Sequence, residues 1–575
     1  MPDLVIKQVK LELETGGACD YASKQLGIRV LIENTGTADA APFVVEVNGV
    51  PQTMADGLEA GRSHDLWFGE YAYSSENVVV VDPAQQVQES GEENNTLSVR
   101  LPIPTLPPTC TPPPEAPPTD TPPAPDTPIP PPPPAAVAVR EEQVTIPTYP
   151  YADYVTEAWD PEFNITYPVL DRVAYDASGP MPRDRTYRLV VVENEYLKLT
   201  FLPELGGRLY EVISKATGHR VTYRNPVLKP SPWGPLQQGW WLAVGGIEWC
   251  LPVEEHGYEW GVPWEISTKR EGQGVTVTLR DTDAADRIRA RVVVRLEAGA
   301  GDFTIQPRLE NPTDRSMAVK YWSNAMLAPG GRNVPSAGLR FVLPEAVTAV
   351  TVHSRGDDFL PGYGERMAWP VFQGTDLSWL GNWNRWLGFF GDPALGEFIA
   401  VYDEVYDEGM VRIFPPDVAQ GTKGFAFGWN DPIPAGNWTD DGSSYVEIHG
   451  GPAATFDDSV TIPPGGHLQW TERWYPVAGL GGLRYANAVA ALNVTVGDGS
   501  VLIGLTTARP WSGDAVLVWN GQERWRQSVS VVPGQSFQRT VPLAGDAGTS
   551  GRLALRLTES DGTVVAEYST DYQSD

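Results

Sequence analysis

Apolar and polar residues alternate with a period of two along most of this chain, the pattern of strands that bury one face. Over residues 1 to 101 the alternation gives short runs, "LVIKQVKLEL", "IRVLIEN", "FVVEVNG", "VVVVDP" and "NTLSVRL", set apart by Gly, Asn and Asp turns. That spacing predicts a small β-sandwich. From 140 to 476 the period returns in "YRLVVVENEYLKLTFLPELGGRLYEVISKATGHRVTYRN", with turns at Glu193-Asn194-Glu195 and Ala216-Thr217-Gly218. Leu197, Leu199 and Phe201 fall on one face of such a sheet. "GVTVTLRDTDAADRIRARVVVRLEAGAGDFTIQPRLENPT" repeats the device, and a β-unit of this length predicts a two-sheet assembly larger than an immunoglobulin-type sandwich. From 477 to 575, "LRYANAVAALNVTVGDGSVLIGLTTAR" opens further strands, read as an accessory sandwich. No fixed-period repeat stands out, which disfavours solenoids and propellers. The expected fold class is all-β.

The segment 102 to 139 breaks the pattern, with 18 prolines between Pro102 and Pro134. Proline cannot donate ladder hydrogen bonds, so this is expected to be a semi-rigid polyproline stalk rising about 3.1 Å per residue. The 54 Pro, 57 Gly and 20 Trp suit turn-rich β-structure with aromatic surfaces. With 42 basic against 73 acidic residues the formal charge is −31, which repels phosphate backbones and anionic membranes, so no nucleic acid partner is expected. No apolar stretch reaches the about 18 residues of a membrane span. The opening "MPDLVIKQVKLELE" has no charged head followed by an apolar run. Together with the stalk, it is read as an extracellular or cell-surface chain whose signal segment has been removed. Cys19, Cys110 and Cys250 form no C-x-x-C pair, which argues against a disulfide framework or a zinc site.

Phosphate-loop, nucleophile-elbow and H-E-x-x-H motifs are missing, and the six histidines (His64, His219, His256, His353, His449 and His467) are scattered. What remains is aromatic and acidic: 15 of the 20 Trp lie between Trp233 and Trp474. Pyranose rings stack their C–H faces on aromatic rings, and their hydroxyls suit carboxylates, amides and Arg, so a cleft mixing these types is what sugar recognition requires. The densest stretch is "GGIEWCLPVEEHGYEWGVPWE" at 245 to 265, with five Glu, one His and one Cys. Two carboxylates about 5 to 9.5 Å apart can hydrolyse a glycoside. Glu248 and Glu447 of "YVEIHGG" are the expected catalytic pair, with His256 as proton donor and His449 sharing Glu447's sheet face. Trp240 and Trp241 would wall the cleft and raise a neighbouring carboxyl's pKa by desolvation. Arg208, Trp249, Glu254, Glu255, Trp322, Asn324 and Trp429 complete the expected ligand-binding set. Against catalysis stands a bland alternative, in which Glu248 merely pairs with Arg208 or hydrogen-bonds a sugar hydroxyl. An open, Trp-lined cleft with neither carboxylate neutralised by Arg or Lys favours catalysis; a filled cleft favours a structural role. No cofactor is expected. Calcium is the metal that suits the acidic runs Glu89, Glu92, Glu93, Asn94, Asn95 and Asp403, Glu404, Asp407, Glu408, each of which reads first as a solvated turn.

Two resemblances add to this reading. "PDLVI", "VLIENTGTADAAPFVVEVNGV", "GLEAG" and "VDPAQQVQESGEENNTLSV" resemble CARDB, the cell-adhesion-related domain of bacteria, matching its tail at Asp82, Val87, Glu89, Asn94 and Asn95. That resemblance implies an immunoglobulin-like module on an exported bacterial protein, with display or adhesion and no chemistry. "FLPELGGRLYEVISKATGHRVTYRNPV", "GGIEWCLPVEEHGY", "LENPTDRSMAVKYWSNAML", "AFGWN", "YVEIHGG" and "PPGGHLQWTERWYPV" resemble an uncharacterised bacterial family with the galactose-mutarotase-like supersandwich fold, often joined to tetratricopeptide repeats. It implies two large antiparallel sheets, a sugar cleft on the concave face, a late-strand Glu as general base and a middle-strand His as general acid. Glu447 falls at the Glu position, but Asn324 stands where a mutarotase has His. An amide cannot deliver a proton, which counts against aldose 1-epimerase activity.

The expectation is an exported protein whose supersandwich binds or acts on an oligo- or polysaccharide, by glycoside hydrolase-like or epimerase-like acid–base chemistry if it is an enzyme. The alternative is a non-catalytic adhesin or envelope component, including self-association through an edge strand of the N-terminal sandwich.

Overall fold

The computed structural model describes residues 1–13, 26–69, 77–91, 94–99, 136–391, 396–497, 499–543 and 550–572. Most of the proline-rich segment, Cys19, Cys110, Glu92 and Glu93 lie outside the described residues. The chain forms two compact units, 1–129 and 130–575. Both are all-β.

In the first unit a three-stranded sheet (Leu4–Leu13, Leu26–Asn34, Ser63–Phe68) accompanies a four-stranded one (Val50–Met54, Phe43–Val47, Asn77–Val81, Thr96–Val99). Alternate residues of both, among them Ile28, Val30, Ile32, Val45, Val79 and Val81, fill one core. Glu89 and Asn95 are buried; Asn95 Nδ2 donates to Glu89 Oε1 at 2.9 Å, and Glu89 also accepts from the Leu4 amide.

The second unit holds an eleven-stranded and a nine-stranded sheet. One continuous core lies between them, with Leu199, Val212, Ile247, Ala325 and Ile448 from the larger sheet against Val277, Val292, Ile305, Phe341 and Val401 from the smaller. Leu197, Leu199 and Phe201 all belong to it, as the period-two pattern requires. The turn after Glu193 is fixed by Asn194, whose Oδ1 accepts from the amides of Tyr196 (2.9 Å) and Leu197 (2.8 Å). Its Nδ2 donates to the carbonyls of Glu297 and Ala300, both at 2.7 Å, tying this turn to the neighbouring hairpin.

Because successive strand residues face opposite ways, the partners of these core residues point to the other face of the eleven-stranded sheet. There a second cluster forms, including Tyr210, Tyr223, Trp240, Trp241, Trp260, Met326, Phe427, Trp438 and Tyr445. Beyond 477, two four-stranded sheets pack around Leu492, Ile503, Leu517 and Leu555.

The acidic run at 403–408 is a turn between two strands with Glu404 exposed, as expected, but its two ends are drawn inward. Asp403 and Glu408 are buried; Asp403 accepts from the Ser336 amide (2.7 Å) and hydroxyl (2.6 Å), and Glu408 from the Gly330 amide (3.1 Å) with His219 Nδ1 2.6 Å away. Strand pairing with the next sheet elements draws these carboxylates inward, which alternation along a single segment does not reveal. Among the described residues no group of three or more His, Cys, Asp or Glu has the arrangement to hold a metal ion.

Candidate functional site

Four adjacent strands of the larger sheet, Ile247–Cys250, Trp322–Leu327, Val446–Gly451 and Gly421–Gly428, carry a polar row across the aromatic face. Glu248 lies opposite Asn324, Asn324 opposite His449, and His449 opposite Lys423. Residues directly opposite share a face, so these side chains line up side by side, with Glu447 joining them two residues before His449. The glycines that open the first strand permit its approach. Gly246 has φ 75°, and a Cβ there would come within 2.3 Å of the Leu209 carbonyl oxygen.

Glu248 and Glu447 converge on one amide. Asn324 Nδ2 donates to Glu248 Oε1 at 3.1 Å and to Glu447 Oε1 at 3.3 Å, which together place the two oxygens at most about 6.4 Å apart. Glu248 also accepts from Trp241 Nε1 at 3.2 Å, faces His256 Nδ1 at 2.7 Å, and pairs with Arg208 Nη1 at 3.4 Å. Arg208 is itself held by the carbonyls of Leu205, Gly245 and Trp260. His449 Nε2 lies 2.9 Å from Glu447 Oε2.

The segment 251–264 covers this row. The His256 ring stacks on Trp241, with centroids 3.8 Å apart, and Glu255, at φ 62°, receives Lys423 Nζ at 3.1 Å. Glu248 is 1% exposed and Glu447 4%, so the carboxylates meet in a closed, neutralised chamber and not in an open cleft, the outcome that counts toward a structural or binding role.

Burial sets the electrostatics. It raises the Glu447 carboxyl above its ordinary value, more than Lys423 and His256 lower it. At His256 burial opposes charge, but Glu248 outweighs it and the imidazole pKa rises. His449 is driven well below its ordinary value by burial, with Lys423 and His256 adding to it, so it stays neutral. His353 falls to about 3, again through burial and then Lys423. Burial would raise Glu255, yet Lys423 and nearby histidines hold it well below the carboxylate range. Among the described residues Asn324 Oδ1, His449 Nδ1 and His353 Nδ1 are buried without a hydrogen-bond partner. The chamber thus contains a carboxyl whose pKa burial raises, a second carboxyl within reach, and imidazoles whose Nδ1 is uncommitted.

The other expected residues are distributed differently. Trp322 lies on the same face, packed with Cys250, Phe390 and Phe456. Trp249 points the opposite way into the core between the sheets, where its Nε1 donates to the Gly207 carbonyl at 3.0 Å. Trp240 sits one layer out, against Trp260 and Tyr151. Glu254 pairs with Lys320 at 3.0 Å, and Trp429 remains 40% exposed beyond the end of its strand. Lys423, fully buried, was not singled out from the sequence. Its signal was a lone cation in the otherwise uncharged strand "GTKGFAFG".

The fold and site define a class: a two-layer antiparallel β-protein with a buried carboxylate, imidazole and amide cluster on the aromatic outer face of its larger sheet. The chain belongs to the DUF5107 family, described as a domain of unknown function, whose model matches residues 162–477. CARDB matches residues 1–99, and the second domain of YphG-like protein matches 485–568. Similar solved structures include a TPR-domain containing protein from Parabacteroides distasonis, at 20% identity over 60% of this chain and 56% of that one, with TM-score 0.49. The chain therefore spans little more than half of that protein's length. A galactose mutarotase-like protein from Clostridium acetobutylicum is 12% identical over 51% of this chain and 96% of that one, with TM-score 0.36. A galactose mutarotase related enzyme from Lactobacillus acidophilus is 13% identical over 50% and 99%, with TM-score 0.33.

Proposed function

We propose that the chamber is a carbohydrate site and that Glu447 is its proton donor, with Glu248 the partner carboxylate. The observation that carries this reading is the convergence of Glu248 and Glu447 on Asn324 Nδ2, with Glu447 biased by burial toward its protonated form. A carboxyl kept neutral can protonate a glycosidic or ring oxygen, while the second carboxylate stabilises or captures the developing cation. Two carboxyls that share one amide are close enough to act on the same glycosidic bond. The CARDB match supports display outside the cell, with the 136–572 unit presenting the site.

A second reading, a non-catalytic glycan-binding or envelope module, is favoured by one observation: Arg208 neutralises Glu248 beneath the 251–264 cover. A single experiment separates the two. The purified chain and its Glu447→Gln variant are assayed against plant, bacterial and storage glycans, following binding and released reducing ends together. Release that falls at least 100-fold in Glu447→Gln, with binding retained, is the expected result. Binding without release, equal in both proteins, would establish the second reading, and silence in both would refute the carbohydrate site.

A further inference from the structure

Beside this buried cluster lies a cavity of about 320 Å³, between a two-stranded ribbon (Val155–Asp160 with Ile165–Leu170) and the far end of the covering segment. Its size falls at the small end of the about 300 to 1,000 Å³ typical of ligand pockets. Tyr151, Trp240 and Trp260 wall it, with Glu157, Thr166 and Pro168 from the ribbon. In the ribbon Thr166 is opposite Trp159, and Pro168 opposite Glu157, so these four share one face. Trp159, opposite Thr166, stands on the same ribbon face next to the lining residues, and it is 54% exposed.

Hydrogen bonds tie the ribbon to the domain. Trp240 Nε1 donates to the Pro168 carbonyl at 3.0 Å, Trp260 Nε1 to Gln238 Oε1 at 3.0 Å, and Tyr258 hydroxyl to Asp160 Oδ2 at 3.0 Å, fixing the ribbon on the domain. Two of its walls adjoin the groups that hold Glu248. Trp240 adjoins Trp241, which donates to Glu248, and the Trp260 carbonyl accepts from Arg208, which pairs with Glu248.

We infer that this cavity is a subsite for a further sugar unit of the same glycan chain, with Trp159 as its stacking platform and Glu157 and Thr166 as hydroxyl partners. The inference rests on the carbohydrate reading above and specifies its ligand as an oligomer instead of a free monosaccharide. An exposed indole beside a carboxylate and a hydroxyl, all on one preordered face, is what a pyranose ring needs: an apolar face and flanking polar groups. No ordering cost falls on the walls.

The test is titration calorimetry on the full chain with cello-, xylo- and chito-oligosaccharides of one to six units. For the wild type, affinity is expected to rise with length in at least one series. Trp159→Ala removes an exposed ring without touching the core and is expected to flatten that rise, with about a tenfold loss for the longer members and none for the monosaccharide. Thr166→Arg, which obstructs the cavity from an exposed position, is expected to do the same. Length-dependent affinity untouched by both variants would overturn the subsite. So would binding that ignores length, even where Glu447→Gln abolishes release and the proposed function stands. Loss in Trp159→Ala with release insensitive to Glu447→Gln would keep the subsite and refute the catalytic assignment. No binding by the wild type overturns both.

Discussion

At the scale of single residues, the chamber's behaviour follows from which proton each buried group prefers. Glu447 has a folded pKa above the unfolded value of about 4.3, so its stabilising contribution is complete below that value and is lost as pH rises through the folded one. Glu447→Gln cannot ionise. Its melting temperature relative to wild type should therefore climb as pH rises above about 4.3, and a difference that stays constant from there to neutrality would contradict the burial argument. His256 works in the same direction, because its raised pKa makes the contact with Glu248 strongest below about pH 6.5 and weaker as pH rises through the folded value. Hydrogen exchange of residues 251–264 should accelerate above neutrality, and exchange independent of pH after correction for intrinsic rates would refute this. Cys250 is fully buried, and burial followed by Glu248 pushes its thiol well above the ordinary value. It should resist maleimide in the folded chain and react only on unfolding.

At the scale of elements, the strands bearing the site stand on a buried ion pair. Arg412, in Glu408–Ile413 of the nine-stranded sheet, donates from Nε and Nη2 to Glu472 at 2.9 and 2.7 Å, and from Nη1 to Thr422 Oγ1 at 3.2 Å. Glu472 also accepts from the indoles of Trp470 (3.0 Å) and Trp474 (3.1 Å), so its polar atoms are satisfied. The Arg412 guanidinium leaves no room for a side chain at Gly450, where a Cβ would approach it to 2.1 Å. Thr422 and Gly450 adjoin Lys423 and His449 in sequence, so this pair locates two members of the polar row from below. Removing one partner leaves an uncompensated buried charge, which costs about 3 to 5 kcal/mol. Glu472→Ala should lower stability by that amount in denaturant titration, whereas a loss below about 1 kcal/mol would show the pair to be dispensable.

At the scale of the whole molecule, the C-terminal sandwich and the nine-stranded sheet share a core. Val342, Phe398, Ala400, Tyr402, Val411 and Tyr475 pack against Leu480, Leu483, Ala491 and Ala508. The Tyr475 hydroxyl donates to the carbonyls of Asn487 (2.8 Å) and Ala490 (3.1 Å) across the same junction. Burying a shared apolar surface couples the stabilities of the two parts. Residues 136–572 should therefore unfold in one calorimetric transition, distinct from that of the 1–99 sandwich. A separate transition for the C-terminal sandwich would show the junction to be weak.

The all-β class was legible because period-two alternation is a local property: Leu197, Leu199 and Phe201 could only share a face. The carboxylates were legible by type, since Glu and Trp at such density in 245–265 are unusual on any β-surface. Their company was not. Whether Glu248 meets Glu447, Arg208 or both depends on strand order, and the order that sets Ile247–Cys250 beside Trp322–Leu327 joins segments about 75 residues apart. Lys423 and the covering role of 251–264 escaped for the same reason, as did Trp159, isolated in sequence and placed by a ribbon opposite Thr166. Sequence alone determined the strand period, the composition and the chemical types on hand. Only the tertiary structure decided which face each type shares and how deeply it is buried, because pairing register and desolvation arise between segments and not within them.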